Sequence, residues 1–356
     1  MTDWYKGKQI DYEVREVDPS TWRDGPQLMA AKDMEITRDD ATSYREGIRL
    51  SVRDWSGPER YVRVYFLPTQ HGETERVCLG TFLVSRPRTS YNANRAFELS
   101  GYSPLMELSR GLLPRGYNAP AGSDAIAFAE GACRRWCRAP VLRGTATHEL
   151  AGVYAANDHD DPLSFVRGLL AMAGMEPVVD PYGRIVFSPL RAAEALQPTW
   201  TFGDSSDGSI LFPDVAEEYA WFDVPNAVEI VFEGDGATIV GRADNYGAYS
   251  PVSRVTRGYE AGLRETASRP AVSQAAADAA AMRRLRELSS AERSISYRHG
   301  YCPVRLGDCI QMDYRRFALR ARLLVRRQVI SCTSSSCTVD ETGTWTERLF
   351  GYDEQG

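Results

Sequence analysis

Over the first hundred residues, apolar side chains return at every second position: Ile10, Tyr12 and Val14, then Ile48, Leu50 and Val52, then Val62, Val64 and Phe66, then Phe97 and Leu99. Successive side chains of extended backbone point to opposite faces, so a period of two marks strands with one face in a core and the other in water. A helix cannot bury such a pattern. Turn formers separate the runs, as Arg23-Asp24-Gly25-Pro26, Trp55-Ser56-Gly57-Pro58 and Gln70-His71-Gly72-Glu73. Their spacing predicts an antiparallel sandwich or barrel.

From about Ser103 the period changes. Ser123 is placed to cap a helix in which Ile126, Ala129, Cys133 and Trp136 share a face. Asp161-Pro162 reads as an N-cap followed by proline at the first helical position, with Leu163, Val166, Leu170 and Ala173 as the apolar stripe and Gly174 as the stop. Val178-Val179 and Ile185-Val186-Phe187 then form a hairpin through Asp180-Pro181-Tyr182-Gly183. This middle stretch predicts a small α/β domain.

A second β-rich region starts near Val215. Val228, Ile230 and Phe232 share a face, and Gly234-Asp235-Gly236 turns into Thr238-Ile239-Val240. The alanine-rich run from Ala271 to about Ser289 predicts a helix with Val272, Ala275, Ala279, Met282 and Leu285 on one side. Strands resume at Cys309–Met312, Leu319–Ile330 and Thr344–Phe350, so this region has the parts of another barrel with a packed helix.

At 356 residues the chain has the length of two or three domains, and 43% hydrophobic with 25% charged residues suits a globular core. No run approaches the ~20 apolar residues of a bilayer helix, and the first residues lack the layout of a signal peptide. Assembly in the bacterial cytoplasm is the expectation. Seven scattered cysteines predict free thiols, since an odd number in a long chain is a poor disulfide framework. A net charge of −6 argues against a protein whose main task is to grip nucleic acid, although nucleic acid can slide past it.

Taken in order, several segments resemble the baseplate hub, or tail tip hub, proteins of tailed bacteriophages. They are Val17-Asp18-Pro19 with Trp22; Met34 to Asp39; Tyr61-Val62-Arg63-Val64-Tyr65 before Val77 to Phe82; and Phe97 to Leu105. Further along come Asp180-Pro181-Tyr182-Gly183-Arg184-Ile185, Val224-Pro225-Asn226, Tyr249-Ser250-Pro251 and Leu306-Gly307-Asp308. The specificity lies in their order over most of the chain.

The resemblance implies a mainly β fold with an α/β insertion. Residues 1–105 are a first tube-like β-barrel, 106–214 a small α/β peripheral domain, and 215–356 a second barrel with a helix near 271–289. It also implies a homotrimer whose six barrels ring a channel matching the tail tube. Its partners are a distal tail or tail tube protein, a spike or tip protein and the tape-measure protein, with DNA only as passing cargo. The expected place is the virion tail tip. No catalysis, cofactor or metal is expected, and a chain stopping at Gly356 leaves host recognition and wall digestion to a separate spike or fibre. The contrasting reading is a carbohydrate-active enzyme or carbohydrate-binding adhesin on β-domains.

No active-site constellation emerges. The four histidines, His71, His148, His159 and His299, lie in no nucleophile or metal motif. Asn157-Asp158-His159-Asp160-Asp161 looks like a ligand set, yet it runs into a proline-started helix, where aspartate serves as a cap. Cys133 and Cys137, and the group His299, Cys302 and Cys309, lack paired metal-ligand spacing and read as packed thiols. Glu217-Glu218 and Asp353-Glu354 read as solvated. Gly203, Gly208, Gly234 and Gly236 form no phosphate loop. The strongest charge feature is Arg315, Arg316, Arg320, Arg322, Arg326 and Arg327. On a strand, Arg320, Arg322 and Arg326 share a face with Leu324, opposite Leu319, Ala321, Leu323 and Val325. That face is a subunit interface or a solvated surface in preference to a channel wall, because a basic lumen would hold DNA.

Overall fold

The period-two residues of the N-terminal strands all face one core. Val14, Ile48, Leu50, Val52, Val62, Val64, Phe66, Phe97 and Leu99 are buried in a single cluster, with Ile10 and Tyr12 packed at its margin. The computed structural model describes residues 2–28, 30–53, 55, 57–90, 96–157, 159–190, 196–204, 210–234, 237–267 and 273–349. It is mainly β, 48% strand against 17% helix, in several sheets. The chain divides into two units, one running to Asp214 and including Tyr297–Thr342, the other comprising Val215–Ser296 and the chain from Gly343.

In the larger unit the sheet runs from Asp24–Leu28 through Gln9–Val17, Glu59–Gln70, Val77–Ser90, Ala96–Tyr102 and Glu46–Val52 to Ala30–Asp39, each strand antiparallel to the next. It does not stop there. Leu319–Cys332 pairs antiparallel with Ala30–Asp39, setting Ile330 against Ile36 and Cys332 against Met34. Ile330, Cys332, Cys337 and Val339 thus belong to the same core as the N-terminal residues. Cys309–Tyr314 pairs with Leu319–Cys332 and, in parallel, with Trp200–Gly203. Among the described residues these pairings close no barrel.

Residues 105–187 build a second cluster around three helices, Leu105–Arg110, Ala125–Trp136 and Pro162–Met172. Ile126, Ala129 and Cys133 are buried as expected, but the cap is Asp124, one residue beyond Ser123, whose side chain accepts from Ile126 N at 3.1 Å. Ser123 is engaged differently, its hydroxyl donating to the Pro120 carbonyl. Asp161 caps the third helix with Pro162 behind it, and Gly174 follows at φ +66°. The hairpin places Met175–Val179 against Ile185–Pro189 with Val178 opposite Val186.

The hairpin's turn is latched to the N-terminal sheet. The Tyr182 carbonyl accepts from Trp22 Nε1 at 2.7 Å and Arg63 Nη2 at 2.9 Å, and the Pro181 carbonyl accepts from Thr81 Oγ1 at 3.0 Å. Arg63 is nearly buried and pairs with Asp24 at 2.7 Å. Asp18 orders the turn before Trp22, accepting from Ser20 N, Ser20 Oγ and Thr21 N.

In the smaller unit, Ala227–Gly234 pairs antiparallel with Ala237–Asp244 and parallel with Gly262–Ala267. Asp235 and Gly236 of the expected turn lie outside the described residues, as do Ala271 and Val272 of the expected helix. That helix covers Gln274–Leu288, capped by Ser273, and packs on the sheet through Ala281 and Leu285 against Val228 and Ile230. Of the expected stripe Leu285 is buried and Met282 packs at the cluster's margin, but Ala275 and Ala279 are exposed and Ala277 and Ala281 are buried in their place. Gly241 explains the register: a Cβ there would stand 2.1 Å from the Ala277 carbonyl oxygen, so the helix backbone lies directly on a bare strand position.

Candidate functional site

The histidines and thiols do not converge. Among the described residues no group of three metal-ligating side chains occurs. Asp158 lies outside the described residues; of its neighbours, Asp160 accepts from Asn157 N at 2.8 Å and Asp161 from Ser164 N at 2.7 Å, which are turn and cap contacts. All seven cysteines are free and buried. Burial pushes the Cys133 thiol up to about 12, and Cys137 spends its Sγ on the Pro104 carbonyl at 3.4 Å. Glu217 pairs with Arg293, and Glu218 is exposed. Gly208, Asp353 and Glu354 lie outside the described residues.

His299 and Cys302 do approach, Nδ1 to Sγ being 3.8 Å. Nδ1 is already committed to the Gly300 carbonyl at 2.8 Å, which fixes that tautomer and removes it as a ligand. His299 belongs to a buried polar network that sequence reasoning missed. Its Nε2 faces Glu341 Oε2 at 3.5 Å. Glu341 accepts from the Tyr297 hydroxyl and from Gln328 Nε2, and Gln328 Nε2 also donates to the Val304 carbonyl at 3.0 Å. Gln328 Oε1 accepts from Arg38 Nη1 at 2.9 Å, Arg38 Nη2 donates to the Leu79 carbonyl at 2.6 Å, and Glu46 lies 3.5 Å from Arg38 Nε. Arg305 supplies Glu46 with a second cation at 2.7 Å.

Burial lowers the pKa of Arg38, the neighbouring Arg305 adds to that, and Glu46 opposes it. Burial lifts the Tyr297 hydroxyl well above its ordinary value, and the Glu341 carboxylate lifts it further. Of the network's members Glu46 also lines a surface groove of about 580 Å³ beside Tyr44 and Gly47, while Arg38, Gln328, Glu341 and His299 are buried. The network fastens strands from the two ends of the chain where an all-apolar core would tolerate slippage. A signal for it existed: Arg38 and Gln328 fall on the same alternation as Met34 and Ile36 and as Ile330 and Cys332.

The arginine strand is partly as expected. On Leu319–Cys332, Arg320 and Arg322 are exposed, with Asp313 and Gln311 as their register partners. Arg326 is half-buried and pairs with Asp40 at 2.8 Å. On the alternation opposite the arginines Leu323 and Val325 are buried and Leu319 and Ala321 half-buried, and Leu324, on the arginines' own alternation, is buried too. Arg315 and Arg316 use their backbone N–H groups on the Asp204 carboxylate, and Arg327 lies 3.8 Å from Asp39.

No family model matches the sequence, and no curated protein matches it. Solved structures do. The chain is similar to the tail protein from Neisseria meningitidis MC58 at 13% identity, with 94% of this chain and 96% of that one covered and a TM-score of 0.64. The 43 kDa tail protein of prophage MuSo2 from Shewanella oneidensis is similar at 12% identity, with 95% and 98% covered and a TM-score of 0.65. A chain in the Francisella PdpA–VgrG complex is similar at 6% identity, covering 96% of this chain and 53% of that one, with a TM-score of 0.57. The fold is therefore that of tail proteins across nearly the whole chain.

Proposed function

We propose that this chain is the baseplate or tail tip hub of a tailed phage or phage-tail-like particle, a structural protein without catalytic turnover. Three copies join the tail tube to a spike or tip and leave a channel for the tape-measure protein and DNA. Residues 1–105 and 215–356 supply the tube-like parts and 106–214 the periphery. The observation that supports the reading is the similarity to two tail proteins over 94% and 95% of this chain and 96% and 98% of theirs. Strands from both ends of the chain also share one sheet that does not close among the described residues, and an open sheet edge favours completion by a neighbouring copy. Direct partners are a distal tail or tail tube protein and the spike or tip, and the place of action is the virion.

Purified tails from the producing strain, imaged by cryo-electron microscopy, test this. Three copies of the chain at the junction of tube and tip are expected. A chain absent from the particle, or one cleaving polysaccharide as a monomer, overturns it.

A further inference from the structure

Cys332 ends the strand Leu319–Cys332 and Cys337 opens the next, Cys337–Arg348, with their sulfurs 4.0 Å apart. The two strands are hydrogen-bonded neighbours. Across the turn between them the Thr333 N–H donates to the Ser336 carbonyl at 2.8 Å, so the cysteines are the next pair along the ladder. Cys337 turns its carbonyl away from Cys332, to the Tyr301 N–H at 3.0 Å, and Cys332 has Met34 as register partner on its far side. This is the geometry of a non-hydrogen-bonded pair, whose Cα atoms approach to about 4.5 Å, within the ~4.4–6.8 Å that a disulfide spans.

Other thiols are spent on the backbone, Cys78 on the Pro181 carbonyl at 3.1 Å and Cys137 on the Pro104 carbonyl at 3.4 Å. Cys332 and Cys337 face each other. We infer that they are a cross-link site, a dithiol that a small peroxide converts to a disulfide across the hairpin.

Cys337 is 9% exposed and Cys332 1%, so the peroxide meets Cys337 first. The Cys337 sulfur takes one oxygen of hydrogen peroxide and becomes a sulfenic acid, and the hydroxide that leaves takes up the thiol's proton as water. The Cys332 sulfur then attacks the Cys337 sulfur. The S–O bond breaks as the S–S bond forms, and the second hydroxide takes up the Cys332 proton. Two thiols and one peroxide thus give one disulfide and two waters, the thiols losing the two electrons that the peroxide gains. The Cys332 contact and burial hold the Cys337 thiol well above its ordinary value, against the pull of Tyr12 and Lys8. Only the thiolate attacks, so oxidation at neutral pH is slow and follows folding.

The bond would fix a register on which the buried polar network depends. Two residues back on the same face Ile330 stands beside Val339 in the core, and two further back Gln328 meets Glu341. A slip of one residue would turn this whole set to the other face of the sheet and part Gln328 from Arg38. The loop closed is short, so the gain in stability is modest.

The full chain, treated with hydrogen peroxide, then unfolded, alkylated and digested with trypsin, tests the site. No lysine or arginine lies between Arg327 and Arg348, so the peptide of residues 328–348 carries both thiols and no other cysteine. It is expected unalkylated and lighter by two hydrogens, and doubly alkylated when dithiothreitol precedes the alkylation. Met172, 49% exposed, reports that peroxide has acted by becoming the sulfoxide. Sulfoxide at Met172 with both thiols of residues 328–348 still alkylated overturns the site. So does Cys337 carried on to sulfinic acid beside an untouched Cys332, and so does a cross-link that forms only when peroxide is added in urea. The oxidised folded chain is also expected to have a higher urea midpoint than the reduced one, and equal midpoints overturn the strand-locking role.

Discussion

The indole Nε1 of Trp22 donates to the Tyr182 carbonyl at 2.7 Å, joining two turns that are 160 residues apart in the chain. Both turns carry segments on which the resemblance to hub proteins rests, so their physical role is to hold the α/β region on the N-terminal sheet. Trp22→Phe keeps the ring and removes the donor. It is expected to cost about 0.5–1.5 kcal/mol, the net worth of one hydrogen bond, read as a lower urea midpoint. An unchanged midpoint would show that Arg63 and Thr81 hold the latch without the indole.

Arg38 is 1% exposed and answers Gln328, Glu46 and the Leu79 carbonyl at once. Arg38→Met leaves those acceptors buried without it, with an expected loss of about 3–5 kcal/mol in denaturant unfolding. Adding Glu46→Leu removes the stranded carboxylate as well, and the double variant is expected to be more stable than Arg38→Met alone. A double variant still less stable would mean that Arg305 depends on Glu46 more than Glu46 depends on Arg38.

Hydrogen bonds from the Ser20 hydroxyl, then from the Ser20 backbone and the Thr21 side chain, lower the Asp18 carboxyl to about 2. A depressed folded-state pKa stabilises above the unfolded value and is lost as pH falls through the folded one. The turn is therefore expected to hold at pH 4 and above and to loosen as the pH drops to about 2, with Asp18→Asn showing no such step. Amide exchange at Ser20 and Thr21 reads it, and identical pH profiles for both chains would refute it.

Gly241 has the Ala277 carbonyl oxygen where its Cβ would be. Gly241→Ala must lift the helix Gln274–Leu288 off its sheet, an overpacking cost of about 1–3 kcal/mol. Circular dichroism melting should show a destabilised smaller unit, and a wild-type melt would mean that the helix slides at no cost.

Arg320 and Arg322 are exposed, and we propose them, with Arg326, as a subunit contact. Charge reversal of Arg320 and Arg322 is expected to shift association toward monomer in sedimentation velocity while leaving the monomer's stability within about 0.5 kcal/mol. Association unaffected at both low and high salt would return these arginines to the solvated surface.

What the sequence disclosed followed from short-range physics. Val62, Val64 and Phe66 had to face a core together, and Asp161-Pro162 had to open a helix, because alternation and capping are local. What it withheld depended on distant partners. Nothing near Leu319 announces that its strand will pair with Ala30–Asp39 instead of building a separate body with its neighbours. The helix stripe was misread because Gly241, thirty-odd residues upstream, decides which alanines touch the sheet. Arg38 and Gln328 sat on core positions of their alternations, and their polarity hid them until each could be seen as the other's partner.

The pairing of Ala30–Asp39 with Leu319–Cys332 has a consequence during synthesis. Arg38 and Gln328 are 290 residues apart, so at about 5–20 residues per second the earlier strand waits on the order of 15–60 s for its mate to leave the ribosome. Throughout that interval one edge of a nearly finished sheet is open to any extended segment, including the same strand on the next nascent chain of a polysome. The folded protein carries no trace of that hazard, because Leu319–Cys332 covers the edge once it arrives.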